Sequence, residues 1–291
     1  MGDKRAVIDL VRSHLPSFSV VRACELLGLS RSDYYRQPVE DPPDPALLEA
    51  IDAIVLAFPG YGYRRVTAQL RRDGWQVNHK RVLRLMREAG LLCRQKRRWT
   101  RTTDSKHGLR VYPNLLADRG WRRLTAPNQA WLADLTYIRL PHEFCYLATL
   151  LDAFSRRVVG WSLPRSLEAD VVLGALDHAL TWRRPGEGWI HHSDRGVQYA
   201  CREYVDRLET AGARISMTAT GSPRENAQAE SFFRTLKREE VYLADYASFA
   251  EAKARIGRFI EEVYDKKRLH SALGYLPPIE FEERFAADAP R

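Results

Sequence analysis

The sequence predicts an α/β chain in which an all-α region precedes a mixed five-stranded sheet with flanking helices. Three observations carry this reading. Three β-rich runs, W-L-A-D-L-T-Y-I-R-L from Trp131, F-C-Y-L-A-T-L-L-D-A-F from Phe144 and R-R-V-V-G-W-S-L from Arg156, are joined by short turns, as in an antiparallel meander. After them, helical patterns alternate with two short strands, G-W-I-H-H-S-D and A-R-I-S-M-T, which implies helices on both faces of one sheet. Over residues 20–91 the apolar positions recur at helical spacing, punctuated by glycine and proline.

The elements follow in order. Val20, Val21, Ala23, Cys24 and Leu27 give a short helix that Gly28 ends, because glycine reaches left-handed backbone cheaply. Ser30 can cap a second helix carrying Tyr34 and Tyr35, so the segment reads as helix, turn, helix. Residues 37–46 hold four prolines and three acids and read as a linker. Residues 45–57 are an amphipathic helix with Pro45 near its start. A second helix-turn-helix runs over 60–91. Its first helix begins near Tyr63 and stops at Gly74. Asn78 caps the next, on which Val82, Leu83 and Met86 face the core while Lys80, Arg81, Arg84 and Arg87 stay polar. An apolar stripe with basic flanks suits a helix lying in or across a DNA groove. Residues 94–112 lack periodicity and read as an extended basic arm in which Arg94, Lys96, Arg97 and Arg98 track phosphates. Further helices are expected over 167–182, 197–212, 225–242 and 249–264.

The chain has 291 residues and a net charge of +9. Residues 61–110 carry 15 Lys/Arg against 3 acids, a local excess of +12, so the rest of the chain sums to −3. The excess therefore sits in one stretch, the one that reads as a DNA-binding unit, and a polyanionic partner is expected. Composition excludes wholesale disorder, a collagen-like repeat and a disulfide scaffold. The four cysteines are far apart with no C-x-x-C, so a zinc knuckle is not indicated and a reducing cytosol fits. No apolar run is long enough for a membrane span, and the N-terminus lacks the apolar core of a signal peptide.

Three carboxylates stand out. Asp134 sits in an otherwise apolar strand, Asp194 directly follows a strand, and Glu230 lies one turn into a helix after a G-S-P loop. Sites in open α/β sheets collect at the carboxyl ends of strands. Oxygen ligands suit Mg²⁺, and a pair of such ions can activate an attacking oxygen and stabilise a leaving one. Asp152 competes, being also in an apolar strand run, but a turn-forming aspartate at a strand end is the preferred reading. His191 and His192 have too few nitrogen or sulfur ligands near them for zinc and read as support for the Asp194 loop.

The motifs around these residues are W-L-A-D-L-T-Y at Asp134, L-D-A-F-S-R-R-V-V-G-W at 151–161, H-S-D-R-G-V-Q-Y at 192–199, G-S-P-R-E-N-A-Q-A-E-S-F-F-R-T-L-K at 221–237 and Y-D-K-K-R-L-H-S-A-L-G-Y-L-P-P at 264–278. Together they resemble the OrfB-type transposases of the insertion-sequence-three group, whose catalytic domain is similar to that of retroviral integrases. The resemblance covers nearly the whole chain. It implies an RNase H-like core with Asp134, Asp194 and Glu230 as a metal-binding triad and Mg²⁺ as cofactor, two ions, with Mn²⁺ as substitute. It implies cleavage at element ends to leave a 3′-OH, then attack by that hydroxyl on another phosphodiester. It also implies a basic residue two turns after the glutamate, here Lys237. Helical spacing independently sets Glu230, Arg234 and Lys237 on one face. The implied partners are the element's terminal inverted repeats and target DNA, further copies of the chain on DNA, and an upstream-frame helix-turn-helix protein, fused or separate. The setting is the bacterial cytoplasm, at the nucleoid. Glu225, Asp265 and Leu269 stand where the family pattern has Asp, Asn and Pro.

The organisation expected is a helix-turn-helix-like segment over 1–45, a second helix-turn-helix DNA-binding domain over 46–93, a basic linker arm over 94–125, an RNase H-like integrase core over 126–245 and a C-terminal helical extension over 246–291. Two other functions compete: a sequence-specific DNA-binding protein with an inactive catalytic domain, and a nuclease of the same fold that only hydrolyses.

Overall fold

The computed structural model describes residues 4–35, 44–93, 109–117, 120–166, 170–219 and 223–288. The chain divides into two units, Met1–Ala46 and Leu47–Arg291. In the first, α1 (Lys4–His14), α2 (Val20–Leu27) and α3 (Arg31–Tyr35) close over Ile8, Ala23 and Cys24. Gly28 ends α2 at φ 58°, a left-handed stop, and the Ser30 hydroxyl accepts the Asp33 N–H at 3.0 Å to cap α3. The helix α1 was not expected from the sequence.

The second unit opens with α4 (Pro45–Ala57), α5 (Tyr63–Arg72) and α6 (His79–Glu88). Leu47, Ile51 and Ile54 on α4 meet Val66 and Leu70 on α5 and Val82 and Met86 on α6. Asn78 caps α6 by accepting the Lys80 N–H at 2.9 Å. One detail departs from the sequence reading: Leu85, not Leu83, completes the packed stripe of α6 with Val82 and Met86. Positions i, i+3 and i+4 share a face, and i+1 does not.

The sheet has the order β3-β2-β1-β4-β5, with β1 Ala130–Arg139, β2 Phe144–Asp152, β3 Val158–Ser162, β4 Ile190–Ser193 and β5 Arg214–Met217. Strands β1, β2 and β3 are antiparallel neighbours; β4 runs parallel to β1 and β5 parallel to β4. Alternation along the strands builds two cores. Trp131, Ala133, Ala148 and Leu150 pack beneath α7 (Asp170–Trp182), α8 (Val197–Ala200) and α9 (Arg202–Thr210). Leu132, Ile138, Cys145 and Leu147 pack against α10 (Ala227–Leu236) and α11 (Phe249–Arg258). Gly160 on β3 lies directly against the backbone and side chains of Ala175 and Ala179, so no side chain fits there. The single helix expected over 197–212 is two, because Cys201 is extended (φ −68°, ψ 147°). The α-helical ladders of α10 and α11 each widen into a π-helical turn, at Lys237–Val241 and Phe259–Tyr264. A last helix, α12 (Pro278–Asp288), ties back through Glu282, which pairs with Arg157 at 2.8 Å and Arg183 at 2.6 Å. Among the described residues no helix is long and apolar enough to cross a membrane.

The helical module of the second unit is fixed to the sheet module through the segment at 268–269. Leu269 joins the core of α4–α6. Its N–H donates to the Tyr61 hydroxyl at 2.7 Å, and its carbonyl accepts from Arg65 Nε at 3.1 Å. Beside it, Arg268 and Glu239 form a doubly hydrogen-bonded pair at 2.7 and 2.8 Å, with side chains only 3% and 7% exposed. The proline of the family pattern would have no N–H to give Tyr61. Tyr61→Phe keeps the ring but strands the buried Leu269 N–H. It should cost about 1–3 kcal/mol and lower the thermal midpoint by a few degrees, measured by circular dichroism. An unchanged midpoint would mean this bond contributes nothing to the docking.

Candidate active site

Asp134 lies midway along β1, half-buried, opposite Thr149 of β2. Parity puts Leu132, Asp134 and Thr136 on the face that α10 covers. On the other side of β1, the parallel register pairs Leu132 with His192. That ladder ends there, so Asp134 on β1 and Asp194 beyond β4 both lie two residues past its last pair. Asp194 is held at the turn after β4 by the Gly196 N–H, which it accepts at 2.9 Å. Glu230 is exposed, in the first turn of α10. The start of α10 is tied to β1 by Asn226, whose side-chain amide donates to the Ala133 carbonyl at 3.2 Å.

The electrostatics record this approach. Burial, then the charge of Asp194, and more weakly that of Glu230, push the Asp134 carboxyl up to about 8, against relief from the Leu135 N–H and Lys237. Burial raises Glu230 as well, opposed by Arg234. Oxygen donors that repel one another beside a strand end are chemically suited to a hard divalent cation. Among the described residues, however, no three acids, histidines or cysteines stand together as a ligand cluster.

Lys237 sits where α10 widens into its π-helical turn. Its Nζ donates to Thr136 Oγ1 at 2.6 Å and lies 5.4 Å from the centre of the Tyr137 ring. Burial lowers its pKa, and the charge of Asp134 opposes that. The surface pairing with Glu240 that would make Lys237 an ordinary lysine is absent, since Glu240 binds Arg255 at 3.0 Å. Arg234 is exposed on the same helix.

On α6, Lys80 and Arg87 are exposed, whereas Arg81 and Arg84 are half-buried, with Arg84 3.7 Å from Glu88. The basic stretch is thus less uniformly available than its composition suggests. Arg65 and Arg71 bind backbone carbonyls, and Arg72 pairs with Glu280 at 2.7 Å. Arg94, Lys96, Arg97 and Arg98 lie outside the described residues.

Asp152 has the role of a turn former. Its carboxylate accepts from the backbone of Asn128, Phe154 and Ser155 and from the Ser155 hydroxyl, at 2.6–3.1 Å. His191 bonds Tyr204 at 2.9 Å and His192 bonds Ser216 at 2.8 Å. Burial pushes both down, to about 3 and about 4, so they are neutral supports of β4. Glu225 accepts the Ala219 N–H at 2.6 Å and so closes the loop before α10. Sequence reasoning missed Asn226, Thr136 and Tyr199. The Tyr199 hydroxyl is buried without a hydrogen-bond partner, and burial and the charges of Asp134 and Asp194 raise its pKa. Its place five residues after Asp194, inside the H-S-D motif, was the available signal.

Two family models described as "Integrase core domain" match residues 125–223 and 211–278, and one described as "HTH-like domain" matches 43–99. The insertion element IS600 31 kDa protein of Shigella sonnei is 37% identical over 90% of this chain and 98% of its own length. The transposase for insertion sequence element IS904 of Lactococcus lactis is 38% identical over 81% and 93%. Transposase InsF for insertion sequence IS3A of Escherichia coli K12 is 33% identical over 94% and 97%. Among solved structures, a chain of the simian T-cell lymphotropic virus intasome is 14% identical, covering 83% of this chain and 75% of that one at a TM-score of 0.46. The HTLV-2 integrase catalytic core is 13% identical, covering 54% and 97% at 0.41. With its mixed five-stranded sheet, integrase core and DNA-binding helix-turn-helix module, the chain belongs to the insertion-sequence-three transposases, enzymes of DNA phosphoryl transfer that act in transposition.

Proposed function

We propose that the chain cuts the ends of an insertion sequence and joins them to new DNA, with Asp134, Asp194 and Glu230 as the catalytic carboxylates. The observation that carries this is geometric: Asp134 stands half-buried inside β1, Asp194 is held at the turn after the neighbouring β4, and the Lys237 ammonium is bound to Thr136 two residues along β1. In cleavage, a water oxygen attacks the phosphorus at the element end. The bond to the 3′ oxygen breaks, leaving a 3′-OH and a 5′-phosphate. In joining, that 3′ oxygen attacks a target phosphodiester and displaces the target's own 3′ oxygen, so the number of phosphodiester bonds is conserved. The two acids on the sheet and Glu230 would hold Mg²⁺, with Mn²⁺ as substitute; a pair of such ions supplies activation of the attacking oxygen and charge for the leaving one. Lys237 and Arg234 hold phosphates of the terminal nucleotides next to the acids. Lys80, Arg81, Arg84 and Arg87 on α6, with Arg94, Lys96, Arg97 and Arg98 beyond it, grip the inverted repeat. The chain acts as a homo-oligomer on DNA at the bacterial nucleoid, alone or with an upstream-frame helix-turn-helix protein.

A labelled duplex ending in the element's own inverted repeat, incubated with and without Mg²⁺, tests the whole. Joined product is expected. Cut product alone would indicate a hydrolytic nuclease, and a mobility shift without either a binding protein. Asp134→Asn, Asp194→Asn and Glu230→Gln should each abolish cleavage and joining while DNA binding persists, because each keeps shape and removes charge. Asp152→Asn should stay active, with a lowered thermal midpoint. A dead Asp152→Asn with an active Glu230→Gln would overturn the assignment.

Lys237→Ala should slow both steps by about tenfold or more, as misplacement of reacting groups does, and Lys237→Arg should recover part of the loss. If Lys237 only braces β1, Lys237→Ala and Thr136→Val will lower the thermal midpoint alike and leave rates intact.

End binding should weaken steeply with salt. Lys80→Ala and Arg87→Ala should each flatten the log–log slope by about 0.9 if the residue meets one phosphate. Slopes equal to that of the unaltered chain would remove α6 from the interface.

A further inference from the structure

Three motifs that the cleavage chemistry leaves unused converge on one cavity of about 340 Å³. Arg65 of α5 reaches it from the G-Y-R-R run at 62–65 of the second helix-turn-helix, Arg156 from the β2–β3 turn, and Arg268 with His270 from the Y-D-K-K-R-L-H run at 264–270; Gln228 of α10 and Trp121 line it as well. The volume is in the range of small-ligand pockets and exceeds what a phosphate alone fills.

The polar groups around this space are poorly satisfied from within the protein. Arg268 is neutralised by Glu239. Arg156 has no ion pair among the described residues, and its buried Nε has no hydrogen-bond partner. Arg65 spends one N–H on the Leu269 carbonyl and has no carboxylate at ion-pair distance among the described residues. His270 Nε2 and both polar atoms of the Gln228 amide are buried and unpartnered. The nearby carboxylate, Glu225, is occupied by the Ala219 N–H. Buried polar groups in proteins are nearly all paired, so several orphans around one cavity point to a ligand that pairs them.

The backbone adds an independent sign. Arg156 sits at φ 66°, a left-handed conformation where glycine is the unstrained residue. Such a strained position is a place to look for function, and Arg156, unlike Asn128 and Tyr275, the other two positive-φ residues that are not glycine, lines the cavity.

The place is also informative. Leu132, which lines the cavity, lies two residues from Asp134 on the same strand face, and Gln228 lies two residues from Glu230. The cavity therefore flanks the acids, about 7 Å along the strand.

We propose that this cavity binds a single unstacked nucleotide, its phosphate on Arg65 and Arg156 and its base beside Trp121 and the Gln228 amide. The nucleotide comes either from the DNA strand lying at the acids, a source that rests on the function proposed above, or from a free nucleotide; the binding chemistry is the same.

The test titrates the full chain, free of divalent metal, with dAMP, dTMP and inorganic phosphate by calorimetry. A mononucleotide should bind one to one and at least about tenfold more tightly than phosphate. Arg156→Gly suits the backbone, so it should weaken the mononucleotide about tenfold or more without lowering the thermal midpoint. Gln228→Leu should weaken the mononucleotide and not phosphate. Element-end DNA that displaces the mononucleotide identifies the strand as the source; simultaneous binding identifies the free nucleotide. The proposal is overturned if neither mononucleotide binds at millimolar concentration, if Arg156→Gly binds as the unaltered chain does, or if Arg156→Gly unfolds several degrees lower, which would make Arg156 a strut. Asp134→Asn should bind the mononucleotide normally. Were that variant still to cut DNA, the catalytic assignment would fall and the cavity would stand.

Discussion

A carboxylate halfway along the central strand of a sheet covered on both faces constrains everything around it. Burying a charge without partners is prohibitive, so such a group must be paired, neutralised or held for a ligand. In this chain the neighbours aggravate the problem. Asp194 follows the last pair of the β1–β4 ladder and its charge raises Asp134, and Glu230 on α10 adds to it. Lys237, hydrogen-bonded to Thr136 on the same strand, offsets the negative charge at Asp134, and Arg234 opposes the rise of Glu230. The fold thus holds carboxyl groups near one another at the end of a strand ladder, and Asp134 resists ionisation, pushed up to about 8. Such sites are where cations are expected.

The second constraint is how the helical module meets the sheet module. Arg268 and Glu239 are almost wholly buried, and the pair is held by two hydrogen bonds. A buried pair of this kind adds modest net stability but is costly to break on one side, and so favours one docking geometry over others. Gly60 lies directly against the Glu239 side chain, leaving no room for any larger residue. The arginines of α5 take part in the same fixing of position. Arg65 is half-buried on the Leu269 carbonyl, whereas Arg64, Arg71 and Arg72 of α5 stay exposed, as Lys80 and Arg87 of α6 do.

The strand alternation, the caps at Ser30 and Asn78, and the acids at strand ends were legible because they depend on local spacing and chemistry. What was not legible depends on tertiary contacts. Leu83 and Leu85 are equally apolar, and only the packing of α4 and α5 decides which one is enclosed. The break at Cys201 has no proline or glycine to announce it. Lys237 could have paired with Glu240 by helical spacing, yet Arg255 of α11 takes Glu240 and leaves the lysine to Thr136, a partner 101 residues away. Arg156, Arg65 and His270 are far apart in sequence, and no local pattern reveals that they line one cavity.

The contrast between Asp134 and Asp152 shows how a structure separates two acids that look alike in sequence. Both end up in apolar strand surroundings, and burial raises the pKa of both. Asp152 accepts four donors, three from the turn it organises (Phe154 and Ser155 twice) and one from Asn128 just before β1. Its oxygens are spent on holding β2 and β3 in register. Among the described residues Asp134 accepts one, from the N–H of its own neighbour Leu135 at 2.9 Å, and it feels the charge of two other carboxylates. A carboxylate has room for about four donors, so Asp134 keeps unused lone pairs at a place where protein donors are scarce and negative charge accumulates. Saturation with donors makes Asp152 part of the scaffold. The lack of it leaves Asp134 able to take a cation.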